Sequence, residues 1–252
     1  MSLSQKTDKE DSKMFIAYAH RGASEYAPEN TMSAFYMGLS MGANGIETDI
    51  QKTKDGVLVL FHDDTLDRVT GRSGKIEDLT YEELCSLRVV HKAGGRSDIV
   101  PRLEDFLHYC GSQGVHLALE LKSPDIEEEV FAMVKKYKLE KQVVITSFHL
   151  EFLIKLKSLY PEAKLGYLTE DFDDDALDKM REVGIYQLCP RGVNLTPEKV
   201  AKWHSCGFNV RAWGINDVSV MKHVYDCGAD GMTANFPDRL IEYVIYRHGQ
   251  SD

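Results

Sequence analysis

Short apolar runs alternating with stretches of helical periodicity constrain this chain more than any other feature of its sequence. The runs fall at residues 16–20, 45–50, 117–122, 143–148, 163–168, 187–190, 209–214 and 231–235. Runs this short suit strands buried on both faces, and such strands occur in parallel sheets covered by helices. Between them, Val130, Val134 and Tyr137 repeat at i, i+4, i+7 and share one helical face, and Leu150, Leu153 and Ile154 repeat the pattern. After the last run, Pro237 suits the first turn of a closing helix whose buried stripe is expected to be Leu240, Ile241, Val244 and Ile245. Eight strand–helix units predict a closed (β/α)8 TIM barrel, a fold of about 250 residues, and the chain has 252.

One region breaks the rhythm. Asp55-Gly56 signals a turn, 57–62 reads as a strand, and a polar, glycine-containing segment runs on to about Pro101. The expectation is a hairpin and small insertion, about 55–101, after the second barrel strand. Residues 14–252 then form a single domain behind a polar N-terminal tail, 1–13. That tail has no apolar core of a secretory signal, and the five cysteines lack the paired spacing of zinc or redox motifs. Reduced thiols and a cytoplasmic location are expected. A formal charge of −10 repels nucleic acid and anionic lipid, and no stretch of eighteen apolar residues is present to span a bilayer. No pattern sets the oligomeric state.

Active sites of βα barrels lie at the C-terminal ends of the strands. His20 and Arg21 end the first run, Glu47 and Asp49 lie on the second, His62 ends the hairpin, and Glu120 and Lys122 lie on the third. Alternate strand residues share a side, so Glu47 pairs with Asp49 and Glu120 with Lys122. Three carboxylates brought together repel one another and some retain protons, unless a divalent cation keeps them ionised. All-oxygen ligation suits Mg²⁺ or Ca²⁺. Such a metal, with Arg21 and Lys122, would supply a local positive field for an anion, and phosphate matches arginine's fork. Two histidines titrating near neutrality can serve as acid and base.

Several segments together resemble a known family. AHRGASEYAPENTMSAF (19–35), GIETDIQKTKDGVLVLFHD (45–63) and LALELK (117–122) are similar to the glycerophosphodiester phosphodiesterases. ITSFHLEFLIKL (145–156), NVRAWGIND (209–217) and GADGMTANFPD (228–238) extend the resemblance over nearly the whole chain. It implies a (β/α)8 barrel with an insertion after strand two, and hydrolysis of glycerophosphodiesters to sn-glycerol 3-phosphate and an alcohol. It places the acid/base pair on His20 and His62, with His20 the base. It places one divalent metal on Glu47, Asp49 and Glu120, and phosphate contacts on Arg21 and Lys122. The family's aromatic after strand seven falls on Trp213, which either packs against the substrate or plugs the barrel top. Ala234-Asn235 replaces the threonine-aspartate common in the final turn, so no further ionised ligand is expected there.

Other residues read as structural. Glu29, Asn30 and Thr31 are expected to organise the start of the first helix, with Asn30 or Thr31 as its cap and the segment near the site because it follows His20 closely. His149 is expected to begin a later helix, and Asp171–Asp175 to be a solvated helix start. Asp63 either braces His62 or forms a turn. A lysophospholipase D-type activity with the same residues would need an apolar groove or membrane-facing surface, for which no basic amphipathic segment is present. A binding module would not need two titrating imidazoles. The partner expected is therefore a small-molecule glycerophosphodiester, with no nucleic acid and no stable membrane anchor.

Overall fold

The computed structural model describes residues 14–249; the tail 1–13 lies outside the described residues. The chain opens with β1 (Ile16–His20), α1 (Met32–Ser40), β2 (Gly45–Lys52) and β3 (Leu58–Leu60). Then come α2 (Asp67–Thr70), α3 (Tyr81–Cys85), β4 (Val89–Val90), β5 (Ser97–Asp98) and α4 (Leu103–Gly111). From there strand and helix alternate: β6 (His116–Leu121), α5 (Glu127–Lys136), β7 (Val143–Ser147), α6 (Leu150–Leu159), β8 (Leu165–Thr169) and α7 (Asp174–Val183). The last three units are β9 (Gln187–Pro190) with α8 (Pro197–Ser205), β10 (Asn209–Ile215) with α9 (Val218–Asp226), and β11 (Gly231–Ala234) with α10 (Pro237–His248).

Parallel pairing runs β1-β2-β6-β7-β8-β9-β10-β11 and returns to β1, closing an eight-stranded barrel. Each of the eight apolar runs is one of its strands. Side-chain alternation divides every strand between two environments. Ile46, Ile50, Leu117, Leu119, Val210 and Ala212 pack outward into the core shared with the helices, where Phe106, Phe131, Leu153 and Trp203 meet them. Glu47, Asp49, Glu120 and Arg211, at the intervening positions, are buried polar groups. The helices begin at polar caps just past the strand ends: Thr31, Asp173, Thr196 and Asp217 each accept a backbone N–H of the first turn. Among the described residues no helix is long and apolar enough to cross a membrane.

Two expected buried positions are exposed. Ile154 is 45% and Ile245 66% accessible. At 3.6 residues per turn, Ile154 lies about 100° from Leu153 and Ile245 about 140° from Leu240, the residues that face the core. Leu156 takes the place on α6 that Ile154 was expected to fill.

Between β2 and α4, β3 pairs antiparallel with β2 through Ile50–Leu60 and Lys52–Leu58. The insertion beyond it has its own apolar cluster, including Val59, Leu66, Ile76, Leu84 and Val100. Short elements persist here because that small core holds them.

The turn after β1 depends on Gly22, whose φ is +78° and where a Cβ would lie 2.4 Å from the Ala34 carbonyl carbon. Both a left-handed backbone and a backbone collision oppose a side chain. Gly22→Ala should destabilise the fold by more than about 1 kcal/mol, read as a lower urea midpoint; an unchanged midpoint would show that the turn is not so constrained.

Candidate active site

Strand register assembles the site. β1 sets His20 beside Glu47, and β6 sets Glu120 beside Asp49. Carboxylate oxygens of Glu47, Asp49 and Glu120 lie within 4.8 Å of one another, and all three residues are buried. β3 brings back the remaining imidazole: Phe61 N donates to Asp49 O at 3.0 Å, so His62 arrives at the level of that carboxylate. His20, Arg21, Glu47, His62, Glu120, Lys122 and Trp213 line one cleft of about 280 Å³, and Asp49 adjoins it through its ion pairs. The structure thus brings together all eight residues singled out in the sequence.

Each imidazole is oriented from behind. His20 Nδ1 lies 2.6 Å from Asn235 Oδ1, an acceptor, so the proton sits on Nδ1 and Nε2 is bare. His62 Nδ1 donates to Asp63 Oδ1 at 2.7 Å. Asp63 therefore braces His62. Burial, reinforced by the Arg21 charge, pushes the His20 imidazole down to about 3, so it does not titrate near neutrality as expected from the sequence but stays unprotonated there. Burial also lowers His62, with the Asp49 carboxylate opposing it.

The carboxylates divide in character. Burial together with the charge of Asp49 pushes Glu47 up to about 8 and Glu120 up to about 7. Asp49 moves the other way: burial works against its charge, but Lys122 and Arg21 hold it well below the usual carboxylate range. Its Oδ2 accepts from Asn30 Nδ2 at 2.9 Å and faces Arg21 Nε at 3.2 Å. Its Oδ1 is buried, accepts no hydrogen bond, and has the Lys122 ammonium at 3.4 Å. Two ionised carboxylates at about 4.8 Å repel by roughly 3 kcal/mol at an effective dielectric near 20. An orphaned carboxylate oxygen inside a converging all-oxygen set is what a divalent cation would satisfy, so the residues fit such a site. Lys122 also contacts Glu120 at 2.5 Å, so both expected phosphate-binding cations lie against the acidic cluster.

Sequence reasoning gave no place in the site's contacts to five residues: Asn30, Glu29, Arg68, Arg211 and Asn235. Asn30 is not the helix cap, which is Thr31; with φ at 54°, it donates to Asp49 and accepts from Thr48 Oγ1. Arg68, from the insertion, joins Asp63 to Glu29, and Glu29 bonds Arg21. Arg211, 1% exposed, lines the cleft and donates to Gln187 and Thr233. Its position two residues before Trp213 on one strand was the available signal for its inward side. Asn235, read only as a departure from family pattern, orients His20. Trp213, half-buried, stands against Phe148 with ring centroids 5.1 Å apart in the cleft wall, with Nε1 bonded to Thr169 O. His149 precedes α6 and Asp173 caps α7, as expected of structural residues.

Fold and cleft together are those of a (β/α)8-barrel hydrolase. Residues 20–239 match the glycerophosphoryl diester phosphodiesterase family, and the chain belongs to it. A glycerophosphodiester phosphodiesterase of Caldanaerobacter subterraneus is 33% identical, the match covering 91% of this chain and 97% of the relative. One from Bacillus altitudinis is 34% identical, over 89% and 96%. Among solved structures, a putative glycerophosphoryl diester phosphodiesterase from Silicibacter pomeroyi superposes with a TM-score of 0.85 at 26% identity, covering 94% of this chain and 95% of that one. An Oleispira antarctica phosphodiesterase in complex with the product sn-glycerol-3-phosphate superposes with a TM-score of 0.81 at 26% identity, over 92% and 97%.

The Asn235 contact fixes a proton position that NMR reads directly. Nitrogen-15 shifts of His20 should report the Nδ1–H tautomer near neutral pH, and Asn235→Leu should release it. An Nε2–H tautomer in the unsubstituted protein would contradict the contact.

Proposed function

We propose that this protein hydrolyses glycerophosphodiesters to sn-glycerol 3-phosphate and an alcohol, with His20 as general base and His62 as general acid. The observation that carries the reading is that two braced imidazoles line one cleft together with buried carboxylates and two cations. The activity named for the relatives, and the product held by the Oleispira protein, support the substrate class.

Arg21 and Lys122 orient the phosphodiester and oppose its charge. His20 Nε2 takes the proton of the attacking oxygen, from water or the substrate's glycerol 2-hydroxyl, as the new P–O bond forms. His62 gives its proton to the departing alcohol oxygen as the old P–O bond breaks. On the 2-hydroxyl route this leaves a cyclic phosphate, which a water then opens, its proton going to His62 while His20 returns the proton to the departing 2-hydroxyl oxygen. Asp63 stabilises His62 while that proton is held. Glu47, Asp49 and Glu120 would hold one Mg²⁺ or Ca²⁺, with Asn30 and Arg21 steering Asp49 from behind. When bound, the cation supplies positive charge that stabilises the phosphoryl oxygens as charge develops on them. Trp213 and Phe148 offer an apolar wall beside the phosphate position.

The test is release of sn-glycerol 3-phosphate from glycerophosphocholine, glycerophosphoethanolamine and glycerophosphoglycerol, with lysophosphatidylcholine as the competing substrate class. Turnover of the glycerophosphodiesters should exceed that of the lysophospholipid and should stop on chelation. His20→Ala and His62→Ala should each lower kcat by at least ~10²-fold. Near-normal turnover in either variant would remove that histidine from the chemistry, and no turnover of any diester with Mg²⁺, Ca²⁺ or Mn²⁺ would sink the reading.

A further inference from the structure

The β4–β5 hairpin of the insertion lies against the loop that follows β1, and its contacts there lead to the imidazole of His20. Its two strands pair through Val89–Asp98 and Val90–Ser97. A two-stranded hairpin is marginal on its own in water, so its place is set by what it touches. At its base, Val89 is buried in the insertion's apolar cluster, and Asp98 Oδ2 accepts from Ser33 N, in the first turn of α1, at 3.2 Å. The tip, 91–96, turns back on bonds from His91 N to Arg96 O and from Gly94 N to His91 O.

Three side chains of that tip hold residues 25 and 26. Arg96 Nη1 donates to Tyr26 O at 2.6 Å, Lys92 Nζ donates to Glu25 Oε2 at 2.5 Å, and His91 Nε2 stands 3.1 Å from Glu25 O. His91 Nδ1 accepts from Ala93 N at 3.3 Å, so the imidazole with its proton on Nε2 makes both contacts. Two of the three bonds end on backbone carbonyls, and these fix the path of the chain where a bond to a long side chain would not.

The same short segment faces inward onto the last turn of the barrel. Ser24 Oγ donates to Asn235 Oδ1 at 3.0 Å, Glu25 N donates to Asn235 O at 3.0 Å, and Tyr26 OH reaches the two oxygens of Asp238 at 2.8 and 2.9 Å. Asn235 Oδ1 is the atom that holds His20 Nδ1 at 2.6 Å. Direct contacts therefore run from His91 and Arg96, through residues 24–26 and Asn235, to His20. This path is separate from the one by which Arg68 joins Asp63 to Glu29 and Arg21.

We propose that the 91–96 tip is a positioning strap for His20, with His91 and Arg96 as its positioning residues. By holding the backbone of Glu25 and Tyr26, it keeps Asn235 Oδ1 on His20 Nδ1 and leaves Nε2 bare. Misplacing a catalytic group by about 1 Å can cost about 10²-fold in rate, so even a slight slackening is measurable. Residues 92–96 are exposed, and exposed contacts of this kind contribute little to stability, so the tip can be altered without loss of the fold. The structural half of the proposal stands on these contacts alone; the effect on turnover rests on the role proposed for His20.

Nitrogen-15 shifts of His20 and steady-state kinetics with glycerophosphodiesters, both on the full chain, test this. In His91→Ala with Arg96→Ala, the Nε2–H fraction of His20 should rise and kcat should fall by about 10-fold with KM little changed. Arg96→Ala alone, a gentler change, should move both signals in the same direction. Arg96→Lys, which keeps a donor for Tyr26 O, should leave them near the unsubstituted values. His20 shifts unchanged in both alanine variants would overturn the strap, whatever happens to kcat. A changed tautomer with unchanged kcat would uphold the strap and remove His20 from the chemistry, so the two readings fail separately.

Discussion

Everything at the mouth of this barrel is arranged around the mutual repulsion of three buried carboxylates. Parallel register forces it: once β1, β2 and β6 are paired, Glu47, Asp49 and Glu120 converge within 4.8 Å whatever the loops do. At roughly 3 kcal/mol per pair, three ionised groups would cost more than a marginally stable fold can readily absorb. Without a metal the protein relieves this in two ways. Glu47 and Glu120 are pushed toward their protonated forms, and Arg21 and Lys122 close in on Asp49. A divalent cation answers the same repulsion while leaving all three carboxylates ionised, and it would lessen the hold of the acidic cluster on Arg21 and Lys122.

The same demand explains why the insertion is tied to the first loop. His62 is braced by Asp63, Asp63 is gripped by Arg68, Arg68 reaches Glu29, and Glu29 bonds Arg21. This relay places one imidazole and one cation in a fixed relation although they come from distant parts of the chain. Its exposed member, Arg68, would gain little from a solitary surface pair, but bidentate contacts to two partly buried carboxylates give the network geometric definition. Asn30, itself in a left-handed loop conformation that asparagine tolerates, closes the arrangement from beneath by donating to Asp49.

The barrel was legible in the sequence because each strand is a short apolar run and its polar exceptions recur at alternate positions. Glu47, Asp49 and Glu120 stood out for that reason, as did His20 and His62 at strand ends. Arg211 did not, although its place two residues before Trp213 puts it on the same side of the strand, because its buried partners Gln187 and Thr233 lie on other strands. Arg68 was equally hidden: its bond to Glu29 spans 39 residues and leaves no local pattern. Ile154 and Ile245 misled because an apolar side chain one position off the helical stripe looks the same in sequence as one on it. The insertion's small elements take their stability from a private core, so local propensity signals them weakly.

The central proposal is that the carboxylate cluster, whose geometry is compatible with a divalent cation, binds one under the control of its own charge repulsion. A cation binds the ionised form, so protons compete with it below the elevated values of about 8 at Glu47 and about 7 at Glu120, and affinity should rise with pH through that range and then level off. Calorimetric titration of Mg²⁺ or Ca²⁺ into the full chain should show binding at least ~10-fold tighter near pH 8 than near pH 6, with proton release, and Glu47→Gln should weaken it at both. Failure to bind either ion, or an affinity that ignores both pH and Glu47→Gln, would contradict the account.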